Sequence, residues 1–122
     1  MSGRDIYYAN NIGGSWNWIQ IVDIEEKLKT YIGQYCSIAI DGDNRPHISY
    51  FYNPGLNTAL MHAWYDAPIP TSGITEIGNW RREKITEGGR DTDIFVEDDG
   101  TIHISYGKSY SLYYAYSLPP ED

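Results

Sequence analysis

The chain has 122 residues, a formal net charge of −8, and 41% hydrophobic and 15% aromatic residues, among them twelve Tyr and four Trp. That length suits one domain, and the composition favours strands over helices and sets the chain apart from disordered sequences. The acidic balance argues against nucleic-acid binding, since no basic surplus exists to replace counterions on a phosphate backbone, and no apolar run is long enough for membrane insertion.

Alternation of apolar and polar residues, bounded by Gly, Asn, Asp and Pro, predicts nine short strands in chain order. They fall at 5–10, 17–23, 35–41, 46–52, 59–65, 80–86, 92–97, 101–107 and 111–117. The segment "DIEEKLKT" (23–30) carries Ile24 and Leu28 at i,i+4 and predicts one solvated helical turn. The lone Cys36 is expected to be a buried thiol, and it provides neither a disulfide framework nor a thiolate metal cluster. The insert "DAPIPTSGITEIGN" (66–79), with its two prolines, reads as a surface excursion.

Internal repetition organises these strands. "IAIDGDNRPHISY" (38–50) and "IFVEDDGTIHISY" (94–106) align without a gap at an offset of 56, sharing Ile38/Ile94, Asp43/Asp99, His47/His103, Ile48/Ile104, Ser49/Ser105 and Tyr50/Tyr106. "LMHAWY" (60–65) then matches "LYYAYS" (112–117) at an offset of 52, "IYYAN" (6–10) resembles "LYYAY" (112–116), and "GSWNWIQIV" (14–22) resembles "GNWRREKIT" (78–86). One unit is therefore four antiparallel strands, a to d, with "DGDN" and "EDDG" as the a–b turns, where Asn and Gly tolerate positive φ.

Four short strands per unit are expected of a β-propeller blade. The pattern "D-x-x-G-x-x-H-hydrophobic-S-Y … L-x-Y-A … G-x-W … I" resembles the propeller repeats related to the Asp-box (sialidase-type) family. It is matched here by Asp41 to Tyr50, Leu60 to Trp64, Gly78 to Ile85, Glu97 to Tyr106 and Leu112 to Tyr116. "NNIGGSWNW" (10–18) stands where that family has its Asp box, with Ile12 in the aspartate position. The implied fold is all-β: a single propeller-repeat domain (1–122) with a partial c–d blade at 5–23, a full blade at 35–86 and a partial a–b–c blade at 92–117. Closed propellers use about four to eight blades. A chain with a little over two is therefore expected either to self-assemble, a trimer being favoured over a dimer, or to be a piece of a longer propeller. No charged-then-apolar leader is visible before the first strand. The resemblance points to a secreted or cell-surface protein, while the residues leave the compartment open.

In propellers of this type ligands sit on the face of the b–c and d–a connections. That face would hold the aromatic planes Tyr31, Tyr35, Tyr52 and Tyr110 beside Asn53, Asn57, Arg90, Asp91, Asp93 and Lys108. Tyrosines that stack on a sugar, with amides and charges for its hydroxyls, predict carbohydrate binding. Repeat positions Asp43, His47, Tyr50, Asp99, His103 and Tyr106 are assigned structural roles, with each His bonded to Asp43 or Asp99 across its hairpin and His62 buried in mid-strand. Neither acidic turn has a twelve-residue calcium loop closed by Glu, so no metal or cofactor is expected. No Ser-His-Asp order or phosphate loop appears. A glycosidase would need two facing carboxylates; Asp91 and Asp93 share one face of a strand and could form half of such a site, and Arg90 alone of the arginines is on that side. The expected function is a non-enzymatic, self-assembling glycan-binding module. The alternatives are a structural or protein-interaction fragment of a larger surface or secreted protein and, behind it, a glycosidase-like propeller.

Overall fold

The computed structural model describes residues 6–22, 35–53 and 57–118, so Tyr31 and the segment 23–30 lie outside the described residues. Those residues form nine strands: β1 (Ile6–Asn10), β2 (Asn17–Val22), β3 (Cys36–Ile40), β4 (Pro46–Tyr52), β5 (Ala59–Tyr65), β6 (Trp80–Glu87), β7 (Arg90–Val96), β8 (Ile102–Lys108) and β9 (Ser111–Ser117). The chain is all-β, with no helix among the described residues. Its strands pair antiparallel into a two-stranded sheet β1-β2, a four-stranded sheet β3-β4-β5-β6 and a three-stranded sheet β7-β8-β9.

Local chemistry sets the hairpins. In the β3–β4 turn Asn44 adopts φ 64, and Gly100 at the same place in the β7–β8 turn adopts φ 95. The Asn44 amide donates to the Asp41 carbonyl and the Gly100 amide to the Glu97 carbonyl, 3.0 and 2.9 Å away. Both turns thus place at the left-handed position a residue that accepts it at little cost.

The middle sheet is covered on both faces. Its front face presents Ile48, Tyr50, Ala63, Tyr65 and Trp80, which pack with Ile6, Tyr8 and Ile21 of the first sheet. Its back face presents Leu60, which packs with Ile94, Val96, Ile104 and Tyr106 of the third. Polar groups at this second interface are paired: the Thr92 hydroxyl donates to the Ser49 hydroxyl at 2.9 Å, and the Ser37 hydroxyl to the Asp93 carboxylate at 2.6 Å. Burying one such aliphatic side chain contributes about 1.5–3 kcal/mol, so the face-to-face contacts hold the three sheets together.

Two details depart from expectation. The 66–79 insert contributes to the core, because Ile74 is only 1% exposed and its carbonyl accepts from the Asn10 side-chain amide at 3.0 Å. The insert thus ties the middle sheet to the first. Cys36 is exposed rather than buried. It shares the front face of β3 with Ile38 and Ile40, which are themselves 52% and 51% exposed because the first sheet covers only the β4–β6 side.

The repeat gives a direct test of where stability resides. Leu60 is fully buried whereas Leu112, its counterpart in the next unit, is 83% exposed. Leu60→Ala is expected to cost about 2–5 kcal/mol in urea unfolding, and Leu112→Ala less than about 0.5 kcal/mol. Equal losses would contradict the asymmetric burial.

Candidate functional site

Three connections converge where the middle and third sheets meet. The β4–β5 loop supplies Asn57 and Thr58, the β6–β7 turn supplies Glu87, Gly88, Gly89 and Arg90, and the β8–β9 hairpin supplies Gly107, Lys108 and Ser109; with Phe51 they line a cleft of about 430 Å3. The β6–β7 turn can run this close to the sheet only because it lacks side chains. Gly89 has φ +103, and a Cβ on it would stand 2.4 Å from that of Leu60. A Cβ on Gly88 would meet the Lys108 methylenes at 3.0 Å, so the Lys108 stem lies along the turn.

Arg90 is fixed by an aromatic pair. Its guanidinium donates to the Tyr35 hydroxyl at 2.7 Å with its central carbon 5.0 Å from the ring centroid, and Tyr35 meets Phe51 edge-on at 6.1 Å. Among the described residues the cleft therefore combines two cations, one carboxylate and the Phe51 ring, an arrangement suited to a polar ligand with an acidic group.

Of the expected ligand-binding residues, Arg90 and Lys108 line this cleft and Tyr35 braces it. Tyr52 is half-buried and packs into the front-face core, away from the cleft, and Asn53 is half-buried and not among the lining residues. Asp91 is exposed with φ 53, at a slip in the β7–β8 register between Arg90 and Asp93. That slip breaks the alternation that would have set Asp91 and Asp93 side by side, and Asp93 turns instead to Ser37. Tyr110 is fully exposed at the tip of a two-residue hairpin in which Ser109 and Tyr110 have φ 51 and 63. A left-handed conformation on a bulky residue costs about 1–3 kcal/mol; here it carries the ring clear of the cleft. Phe51, Thr58, Glu87 and Ser109 join the lining without having been singled out in the sequence, since only the stacking of sheets brings them together.

A second constellation runs across the back faces. The histidines bond not to Asp43 and Asp99 but to the acids that end β3 and β7. His47 Nε2 lies 2.8 Å from Asp41, and His103 Nε2 lies 2.8 Å from Glu97. Alternation explains the choice. Ala39 pairs with His47 and Phe95 with His103, so the acid two residues on shares the histidine's face, while Asp43 and Asp99 sit out in the turns. Asp99 caps its own turn by accepting from the Thr101 amide at 2.9 Å. Tyr50 and Tyr106, by contrast, are buried core residues.

Each ladder continues onto the next strand. His47 Nδ1 lies 2.9 Å from His62 Nε2, with the rings stacked at 5.1 Å, and His62 stacks on Trp64 at 4.8 Å. In the third sheet the Tyr114 hydroxyl lies 2.6 Å from His103 Nδ1, and Tyr114 stacks on Tyr116 at 5.7 Å. Among the described residues no three His, Cys, Asp or Glu side chains converge as metal ligands.

Proton counting separates the two ladders. With neutral His103, the Tyr114 hydroxyl donates to Nδ1 and Nε2–H donates to Glu97, so both contacts are filled. With His47 and His62 both neutral and His47 Nε2–H donating to Asp41, His62 Nε2–H donates to His47, and His62 Nδ1 faces Glu83 at 2.9 Å with no proton of its own to donate. Burial holds the His62 pKa below the ordinary 6.5, against the pull of Glu83. Burial also pushes the Asp41 carboxyl up, but the His47 bond and the Arg45 and Asp43 amides outweigh it and hold it below 3.8.

Both shifts make the fold acid-sensitive. Below pH 6.5 the unfolded chain takes up the His62 proton more readily than the folded one, so this contribution is complete above pH 6.5 and declines as pH falls. The Asp41 contribution is complete above pH 3.8 and is lost below it. The thermal midpoint is expected to fall as pH drops below 6.5, with a shallower fall in His62→Gln; parallel curves for the two proteins would exclude His62 as the source.

No protein-family model matches the chain and no curated protein is similar to it in sequence, so this geometry carries the functional reading.

Proposed function

We propose that the chain is a non-enzymatic binding module built from β-propeller blades of the Asp-box-like kind, and that its cleft binds carbohydrate, with preference for an acidic sugar. The observation that carries this reading is the meeting of Arg90, braced by Tyr35, and Lys108 with the Phe51 ring in one concave site. The guanidinium and ammonium suit a sugar carboxylate, Asn57, Thr58 and Ser109 suit hydroxyls, and the Phe51 ring suits the apolar face of a pyranose. Stacked antiparallel sheets with a 56-residue internal repeat support the blade assignment. The glycosidase reading is the less favoured, because among the described residues the cleft lining holds one carboxylate, Glu87, where glycoside hydrolysis uses two.

Self-association belongs to the same reading, a ring of three chains being preferred over two. Equivalent sites on one particle would raise avidity for a multivalent glycan by about 10²–10⁴.

Calorimetry with oligogalacturonate, with cellohexaose as a neutral comparison, tests the ligand. Oligogalacturonate is expected to bind more tightly. Arg90→Ala and Lys108→Ala, both at exposed positions, should each weaken it about tenfold or more, as loss of a charged hydrogen bond of about 1.5–3 kcal/mol requires. Absence of binding to either sugar, or binding indifferent to both substitutions, would remove the cleft as a glycan site.

A further inference from the structure

Inside the chain, one unit's back face already receives the next unit's front face. Ala39 and Leu60 on the back of the middle sheet pack with Ile94, Val96, Ile104 and Tyr106 on the front of the third. Ser37 and Ser49 on that back face bond to Asp93 and Thr92. Shifting by the repeat offset turns the β3, β5 and β7 members of this contact into exposed residues, while Ile104 and Tyr106 become Ile48 and Tyr50, which the first sheet covers. Ala39 becomes Phe95, and His47 and His62 become His103 and Tyr114. On the receiving side Ile94 and Val96 become Ile38 and Ile40.

The contrast in burial is large. His47 and His62 are 7% and 2% exposed beneath the third sheet, whereas the matching back face leaves Phe95, Tyr114 and Tyr116 at 62%, 58% and 64%. Apolar exposure of this extent marks an interaction surface. The receiving side is a groove of about 510 Å3 lined by Ile38, Ile40, Ile12, Trp16, Tyr8 and Ala9. It lies beside β1, which among the described residues pairs with β2 alone, leaving its other edge unpaired there.

We propose that this groove is filled by the β7–β8 hairpin of a second copy of the chain, with Phe95 of that copy lying over Ile38 and Ile40. β8 of the second copy pairs with the open edge of β1, completing a β7-β8-β1-β2 sheet of the same four-strand form as β3-β4-β5-β6. The place beside β8 is held within its own chain by β9, whose "LYYA" matches the "IYYA" of β1. Apart from the half-buried Ala115, every residue of β9 is exposed, so it is the strand that yields. β1 is the stronger claimant because Ile6, Tyr8 and Asn10 are buried on the middle sheet. The contact is heterologous, joining two different surfaces, and repeats from copy to copy.

This inference rests on the self-association proposed above and not on the ligand. Light scattering is expected to give the chain a discrete multiple of 14.0 kDa. Phe95→Asp spoils the inserting face and Ile40→Lys the groove; each is expected to be monomeric with an unchanged circular dichroism spectrum, both sites being exposed. Mixed in equal amounts, the two variants retain one intact face and one intact groove between them and are expected to form a species of twice the chain mass and no larger. Should either variant unfold, Phe95→Ser and Ile40→Thr carry the same readout. A monomeric wild type, variants that keep the wild-type mass, or a mixture that stays monomeric would each overturn the docking. A monomer that still binds oligogalacturonate would do so while leaving the ligand reading intact.

Discussion

The structure depends on one constraint: the middle sheet must be covered on both faces at once. β4 shows it most plainly, with six consecutive residues from Pro46 to Phe51 all buried. A strand in the middle of three stacked sheets has no solvent side, so its polar members must find partners inside. Ser49 bonds to Thr92, and His47 spans the space between Asp41 and His62. Unpaired, such groups would each cost about 1–3 kcal/mol of desolvation. The polar ladder is therefore a consequence of stacking as much as the apolar core is.

The same constraint positions the cleft. The stacked middle and third sheets are joined by a connection from β6, the last strand of one, to β7, the first strand of the next. The Gly88-Gly89 pair makes that crossing against Leu60 with no side chain in the way. Arg90 follows immediately, so its guanidinium emerges at the junction, and the β8–β9 hairpin carries Lys108 to the same place. Any ligand site here is a by-product of how one unit passes the chain to the next, which ties recognition chemistry to the scaffold rather than to a flexible loop.

Repeat symmetry that is incomplete in space has physical consequences. Equivalent positions occupy unequal environments: His62 sits beneath the third sheet while Tyr114 lies open, and Leu60 is sealed while Leu112 is bare. The chemistry follows the burial. The covered ladder joins two histidines and ends at Glu83, whereas the open ladder ends in a tyrosine hydroxyl against its histidine.

By itself, the sequence determined the nine strands, their grouping by repeat and the two acidic turns. Those features are local: a period of two and residues such as Asn44 and Gly100 that accept positive φ express themselves within a few residues of chain. It also placed Arg90 and Lys108 on one end of the sheets, because antiparallel connectivity alone sorts loops to two sides. Tertiary structure decided what depends on register and on neighbours. The acid that each histidine meets is Asp41 or Glu97 because cross-strand pairing, not proximity in sequence, brings side chains together. Ile74 from the long insert became core, Cys36 was left outside, Tyr52 was drawn to the wrong face and Asp91 was turned aside by a slip in pairing. Which face of a strand is covered is set by a second sheet whose arrival no local pattern records.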